Sequence, residues 1–420
     1  MRERIRYYLS LLDPHIAAGY LRVPRREAGD ASQSLRAAID WLCRAQDASG
    51  DGGVARSYSL AYNAFFGKRG WAPSYPETTG YIIPTIFDYA RSCARSELFD
   101  RAVRMADWEC EVQMPSGAVQ GGTVNEPASP AVFNTGQVIF GWVRAFSETG
   151  TERYLQAAIR AGDFLLSCQD ADGAWRRHLS KFASETMPSY TYNARTAWAL
   201  FQLAEVTGNP AYREAAVGNI EFALGEQLPN GWFRNNCLND PERPLLHTIA
   251  YTLEGVLGVG VSLGNASYIS AARTAADELL IRQRPDGSFA GRFDRRWRAA
   301  ANYSCLTGNA QMGIVLGKLY QVTHDTRYLT GMRKANEYLR KVQWMGTGNP
   351  DLEGGISGSF PLHGQYGSFQ ILNWAVKFFV DSMLLESAIS EARTNSEYFM
   401  REPRIQAGNN AHSSPSDPSR

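Results

Sequence analysis

His247 and Tyr251 stand four residues apart in His247-Thr-Ile-Ala-Tyr251, one turn apart on one face if the segment is helical. A second cluster, Tyr190-Thr-Tyr192-Asn193-Ala-Arg195, places phenols, an amide and a guanidinium close together. An imidazole or phenol can take or give a proton, and amide or guanidinium donors can hold a carboxylate while charge builds beside it. Those types suit removal of a proton next to a uronate carboxylate, giving C5 epimerisation or β-elimination. Tyr192, His247 and Tyr251 are then the acid/base candidates, and Asn193, Arg195 and Arg292 the carboxylate-holding groups. Glycoside hydrolysis would instead need two carboxyl groups, about 5–5.5 Å apart for retention and wider for inversion. Glu77 leads that set, ahead of Glu185, Glu254, Asp294, Asp351 and Glu353, and spacing selects no partner for it. Each residue also has an ordinary explanation. A carboxylate at Glu77 stabilises its own helix start, and a histidine at a helix start commonly caps or packs.

What must position these groups is a repeat. Gln169-Asp-Ala-Asp-Gly173-Ala-Trp175 recurs as Gln227-Leu-Pro-Asn-Gly231-Trp-Phe233 and as Gln283-Arg-Pro-Asp-Gly287-Ser-Phe289. Looser copies lie at Gln113…Gly117 and Gln46…Gly50, and a sixth at Gln343 has no glycine in register. A recurrence of this kind marks one supersecondary unit copied along the chain. The segment before each glutamine has helical apolar spacing with charges, as in Leu155, Ala158, Ile159, Phe164 and Leu165 beside Arg153, Arg160 and Asp163. The segment after each long loop is nearly uncharged, as from Ile249 to Val261 or Leu306 to Leu319. An apolar-all-round helix is a buried helix. The pattern predicts an outer and an inner ring, with inner helices starting near Glu77, Asn134, Tyr192, His247, Cys305 and Ser368. The expected fold is all-α, an (α/α)6 toroid of six helical hairpins over residues 31–390. An N-terminal helix and lead-in occupy 1–30, and 391–420 form a partly disordered tail.

Short Thr-Gly-Asn turns leave the inner helices, and long loops enter them, so one rim collects every long loop and six helix N-termini. Those N-termini favour anions. Tyr75, Asn134, Gln137, Tyr190, Asn193, Arg195, Tyr303, Asn309 and Tyr366 fall at that rim as candidate substrate-binding residues. Aromatic faces with amide and hydroxyl donors suit sugar rings. Arg56, Arg176, Arg177, Arg234 and Arg292 follow the repeat glycines, and Gly291-Arg292-Phe-Asp294-Arg295-Arg296-Trp297-Arg298 gathers several guanidinium groups beside Trp297. Guanidinium forks bind carboxylates, so Arg234 and Arg292 join the substrate-binding set, together with Trp297. Pairing with Asp172, Glu242 or Asp294 would explain these arginines equally well.

Composition sets outer bounds. Hydrophobic content of 44% with 12% aromatics supports a large core, and 20% charge argues against disorder. A net charge of +1 gives no field to recruit nucleic acid. Six cysteines without CxxC spacing suggest buried free thiols and a cytoplasmic setting. No metal or cofactor is implied, because no ligand cluster has workable spacing. No stretch reads as a membrane span.

Arg160-Ala161, Phe164-Leu165, Gln169 and Gly173-Ala-Trp175 resemble the QW repeat of squalene-hopene cyclases and their prenyltransferase relatives. The cyclases' Asp-x-Asp-Asp, the prenyltransferases' zinc ligands and the cysteines and histidine of lanthionine cyclases have no match. Tyr75-Pro-Glu-Thr-Thr-Gly-Tyr81, Phe133-Asn-Thr-Gly-Gln137, His247-Thr-Ile-Ala-Tyr251 and Ser304-Cys-Leu-Thr-Gly-Asn309 are similar to bacterial exopolysaccharide-biosynthesis proteins with such repeats. That resemblance implies carbohydrate work in a polymer or glycoconjugate pathway. The resulting expectation is an enzyme on an anionic, uronate-containing glycan, by C5 proton abstraction. A glycoside hydrolase, a terpene-cyclase-like protein and a non-catalytic glycan-binding toroid are the alternatives.

Overall fold

The structure is a computed structural model that describes residues 2–22, 27–93, 95–184 and 187–394. Two short helices, α1 (Arg2–Ser10) and α2 (Pro14–Arg22), precede the ring where the sequence suggested one. Six helical hairpins follow, alternating outer and inner helices. They are α3 (Ala31–Ser49) and α4 (Pro76–Ser92), α5 (Glu97–Val112) and α6 (Val132–Thr149), and α7 (Glu152–Cys168) and α8 (Ala194–Thr207). The second half holds α9 (Pro210–Gly225) and α10 (Leu246–Leu263), α11 (Ala266–Ile281) and α12 (Leu306–Thr323), and α13 (Thr326–Val342) and α14 (Asn373–Thr394). The expected disordered tail from Gln406 lies outside the described residues.

Each inner helix packs on the next, and α14 packs on α4, so the inner ring is closed. Its helices are buried on every side: all residues from Leu246 to Gly260 in α10 are covered. Over Leu246–Leu263 that helix is apolar enough to cross a bilayer, yet 83% of it is buried, so its apolarity serves the core. Glycines allow the close approach. A Cβ on Gly141 would sit 2.3 Å from the Gly80 carbonyl oxygen, and one on Gly255 would sit 2.2 Å from that of Ala194.

The repeated glutamine is the clasp between neighbouring hairpins. Gln113, Gln169, Gln227 and Gln283 each donate Nε2 to their own repeat's glycine carbonyl. Each also donates to a carbonyl of the next outer helix, at Ala157, Ala215, Ala271 and Gly331. Gln46 reaches Gly52, not Gly50, and Arg101. Gln343 has its glycine after all, displaced to Gly354, and its second acceptor is Ser34 in the first repeat. The glycines take positive φ and lie against the next outer helix; a Cβ on Gly354 would fall 1.9 Å from the Ala37 carbonyl oxygen. A tyrosine at the third position of α7, α9, α11 and α13 forms a second clasp. Tyr154, Tyr212 and Tyr328 donate to Asp107, Asp163 and Asp277 of the preceding outer helix, and Tyr268 to Glu221.

On the other rim, short turns use Gly150, Gly208, Gly264 and His324 at positive φ. The long-loop rim carries small strands that the all-α expectation did not include. β1 (Ser57–Asn63) pairs with β2 (Lys68–Trp71) and with β5 (Gln370–Leu372), and β3 (Ser304–Cys305) pairs with β4 (Ser359–Phe360). The first of these sheets joins repeat one to repeat six across the seam. All six cysteines are free, four of them buried.

Candidate active site

Five of the six inner-helix starts and several long loops enclose a cavity of about 340 Å³ at the long-loop rim. Volumes of this order hold small-molecule ligands. Its wall is aromatic: Phe133 meets Tyr192 at 5.1 Å and Tyr251 at 5.0 Å, and His247 meets Tyr251 at 4.2 Å and Tyr366 at 5.4 Å between ring centroids. Tyr75, Tyr81, Phe182 and Trp374 complete it.

Of the candidate residues, Tyr75, Glu77, Tyr192, His247, Tyr251, Arg292 and Tyr366 are brought together here. Glu77 is the carboxylate of this lining among the described residues; Glu185 lies outside them. Pro76 opens α4, Glu77 sits in its first turn, and Tyr75 Oη donates to Glu77 Oε2 at 2.5 Å. Asn134, fully buried on α6, steers that phenol by donating Nδ2 to Tyr75 Oη at 3.3 Å. Burial pushes the Glu77 pKa up to about 7, against the lowering effects of the Tyr75 bond and the Arg56 charge. At neutral pH a large share of Glu77 therefore carries a proton it can give.

Arg56 faces the same space. Its guanidinium lies 4.9 Å from the Trp374 ring and 5.8 Å from that of Tyr75, and among the described residues it has no carboxylate or hydrogen-bond partner. Burial lowers its pKa somewhat, but an arginine remains a cation. A cation held by rings alone is a receptor for an anion.

His247 Nδ1 lies 2.6 Å from Gln311 Oε1, an oxygen that can only accept. Burial drives its pKa down to about 3, so the ring is neutral. The hydroxyls of Tyr81 and Tyr251 are buried beside each other, and burial raises both phenols well above their ordinary range. Tyr192 is raised in the same way, so no phenol here ionises easily.

The remaining candidates lie elsewhere, each for a visible reason. Arg195 is below the cavity in a buried ion pair with Glu254, and Gln137 accepts its Nε at 2.9 Å. Asn309 ties its loop down, accepting from the Phe289 amide at 2.9 Å and donating to the Cys305 carbonyl at 2.8 Å. Thr79 and Thr135 do the same for Val54 and Val119, so polar residues at these helix starts serve the repeat. Tyr190 donates to the Ser184 carbonyl, Asn193 is buried in a 3-10 turn before α8, and Arg234 is exposed outside the lining. Trp297 packs against Trp232 at 5.1 Å and donates to the Asn230 carbonyl.

The clustered arginines separate too. Arg176 pairs with Asp170 and Asp172, and Arg298 with Asp294. Arg292 remains, donating Nε to Tyr303 Oη at 3.3 Å and Nη1 to the Arg243 carbonyl. Arg292, Asn239 and Gln365 are shared with a second, polar depression of about 620 Å³ that includes Tyr303. Trp374, Tyr81 and Phe182 were outside the candidate set. Trp374 had a signal, since it follows Asn373 at the last inner-helix start. Among the described residues no group of three or more His, Cys, Asp or Glu could hold a metal ion.

Residues 25–161 match the family model of the β-L-arabinofuranosidase catalytic domain of glycoside hydrolase family 127. No curated protein matches the chain significantly. Among solved structures, an unsaturated glucuronyl hydrolase specific for heparin superimposes with a TM-score of 0.68 at 16% identity, over 86% of this chain and 98% of that one. The Bacillus sp. GL1 unsaturated glucuronyl hydrolase, responsible for glycosaminoglycan degradation, gives 0.66 at 15% identity, over 84% and 96%. The enzyme from Streptococcus agalactiae gives 0.61 at 13% identity, over 89% and 95%. These likenesses establish the (α/α)6 toroid. The matching family model and these superimposed proteins alike are glycoside hydrolases; the resemblance to QW-repeat and bacterial exopolysaccharide-biosynthesis proteins finds no support among them.

Proposed function

We propose that this chain is a glycoside hydrolase that removes a uronic acid bearing a C4–C5 double bond from an oligosaccharide. The observation that carries this reading is the pairing of one proton-donating carboxyl, Glu77, with an unpartnered cation, Arg56, in one aromatic cavity. Hydrolysis of an ordinary glycoside takes two carboxyl groups. An unsaturated uronate is an enol ether and needs one acid. Glu77 gives its proton to C4, and the cation at C5, stabilised by the ring oxygen, takes the oxygen of a water molecule. The water's proton passes to His247, whose ring is neutral and free to accept it. The resulting hemiketal opens to a ketone, and the exposed C1 centre releases the rest of the saccharide. Arg56 holds the uronate carboxylate, and the adjoining polar depression leaves room for the next sugar. The unsaturated glucuronyl hydrolases of this fold support that substrate class, and the family 127 match supports hydrolysis.

A second reading, C5 proton abstraction by His247 in an epimerase or lyase, rests on the imidazole standing against Tyr251 in the cavity, with ring centroids 4.2 Å apart. A role in exopolysaccharide or glycoconjugate metabolism in the cytoplasm belongs to the same proposal; the free thiols fit a reducing compartment. Incubation with unsaturated and saturated uronyl disaccharides in heavy water decides. Loss of the double-bond absorbance with deuterium at C4 supports the hydrolase. Deuterium at C5 of a saturated uronate, or new double-bond absorbance, supports the second reading. Cleavage confined to neutral glycosides would reject both.

A further inference from the structure

Beneath the cavity runs a buried line of side chains that the proposed chemistry does not touch. Gln137 Oε1 accepts Arg195 Nε at 2.9 Å, and Arg195 Nη1 donates to Glu254 Oε2 in a close ion pair. Glu254 Oε1 accepts Gln311 Nε2 at 2.9 Å, and Gln311 Oε1 meets His247 Nδ1 at 2.6 Å. Every member is at least nine-tenths buried. Burial raises the Glu254 pKa, but Arg195 and Lys377 oppose it. Two cations, Arg195 and Lys377, thus face two carboxylates, Glu254 and Asp381, the last also accepting Lys377 Nζ at 2.5 Å and Thr85 Oγ1 at 2.6 Å.

The direction of each bond is forced. An arginine only donates and an ionised carboxylate only accepts. Glu254 must therefore receive the amide nitrogen of Gln311, which turns the amide oxygen toward His247. That oxygen can only accept, so Nδ1 carries the ring proton and Nε2 keeps its lone pair. Among the described residues His247 Nε2 has no hydrogen-bond partner, and the ring lines the cavity.

We propose that Glu254 and Gln311, anchored by Arg195, are positioning residues that lock His247 in the Nδ1–H tautomer and present Nε2 to the cavity as a base. The tautomer assignment stands on geometry alone; its use as a base rests on the proposed hydrolysis.

The substitution Glu254→Gln should reverse the line. The new amide's oxygen accepts from Arg195, so its nitrogen donates to Gln311 Oε1. Gln311 then turns its own nitrogen to His247 Nδ1, and the proton moves to Nε2. The swapped pair E254Q/Q311E restores the original order. Its carboxylate, now at position 311, accepts both the amide N–H from position 254 and His247 Nδ1–H.

The test is 15N NMR of the full chain with labelled histidine, His247 being assigned by its loss in H247Q. Wild type should show a protonated Nδ1 and a lone-pair Nε2. E254Q should exchange the two signals, and the double variant should return them. Turnover of the unsaturated disaccharide should fall about 100-fold in E254Q at little-changed KM and recover at least tenfold in the double variant. A wild-type ring protonated at Nε2, or E254Q signals like those of wild type, overturns the proposal, and the wild-type spectrum decides even if E254Q does not fold. If the signals exchange but wild type cleaves no glycan, the functional reading fails and the tautomer lock stands.

Discussion

Gln343 Nε2 lies 2.9 Å from the carbonyl of Ser34, 309 residues earlier in the chain. The same side chain donates to Gly354 at 3.0 Å, so one amide group ties the last hairpin to the first by the device that joins every other pair. Replacing Gln343 by leucine removes both hydrogen bonds, at about 0.5–1.5 kcal/mol each. Thermal unfolding should show a lower Tm, and an unchanged Tm would mean that the seam is held by other contacts.

Glu77→Gln keeps the shape of the site and removes the proton. The kcat/KM should fall about 100- to 10,000-fold. Wild-type activity needs protonated Glu77, so it should decline as pH rises through about 7. The Tyr75 bond lowers that pKa, so Tyr75→Phe should carry the decline to higher pH. A pH–rate profile that Tyr75→Phe leaves in place would remove Glu77 from the acid's role.

Arg56→Leu tests the anion receptor. Affinity for a uronyl disaccharide should drop about 10- to 100-fold, the range of a lost bond to a charged group, while a neutral disaccharide of equal size is unaffected. Titration calorimetry with both ligands reads the difference. Equal losses would assign Arg56 to packing.

Glu109 is a fully buried carboxyl on α5 whose two oxygens have no hydrogen-bond partner among the described residues. Leu42, Leu165, Ala223, Leu279 and Leu339 stand at the same place, four residues before the glutamine. Burial raises the Glu109 pKa well above its ordinary value. Above about pH 4.5 the unfolded chain releases this proton and the folded chain keeps it, so stability declines as pH rises toward the folded pKa. Glu109→Leu should gain about 1–3 kcal/mol in denaturant titrations and lose that decline. Equal stability at pH 5 and pH 8 in wild type would contradict it.

The hairpins were legible because the Gln…Gly clasp is short and local, and because inner helices lack charge along whole faces. The seam was not, since an inserted loop moves the sixth glycine to Gly354, where a fixed spacing misses it. Within the site, Tyr75, Glu77 and His247 could be placed at the rim from the repeat alone. Depth could not be read. Arg195 shares its helix start with the cavity residue Tyr192, and Asn309 stands at an equivalent start on α12, yet one lies in a buried ion pair and the other fastens a loop. Arg56 and Arg176 look alike in sequence, and only folding shows that acids flank one and rings the other.

Because the sixth hairpin is fastened to the first, the number of hairpins cannot drift by duplication or loss as it does in open solenoids. Length can change freely only where a connection crosses the open rim, since the opposite rim is pinned by tight left-handed turns. Variation among relatives should therefore accumulate as insertions around the cavity mouth. New specificities would arise there while the barrel beneath keeps its size.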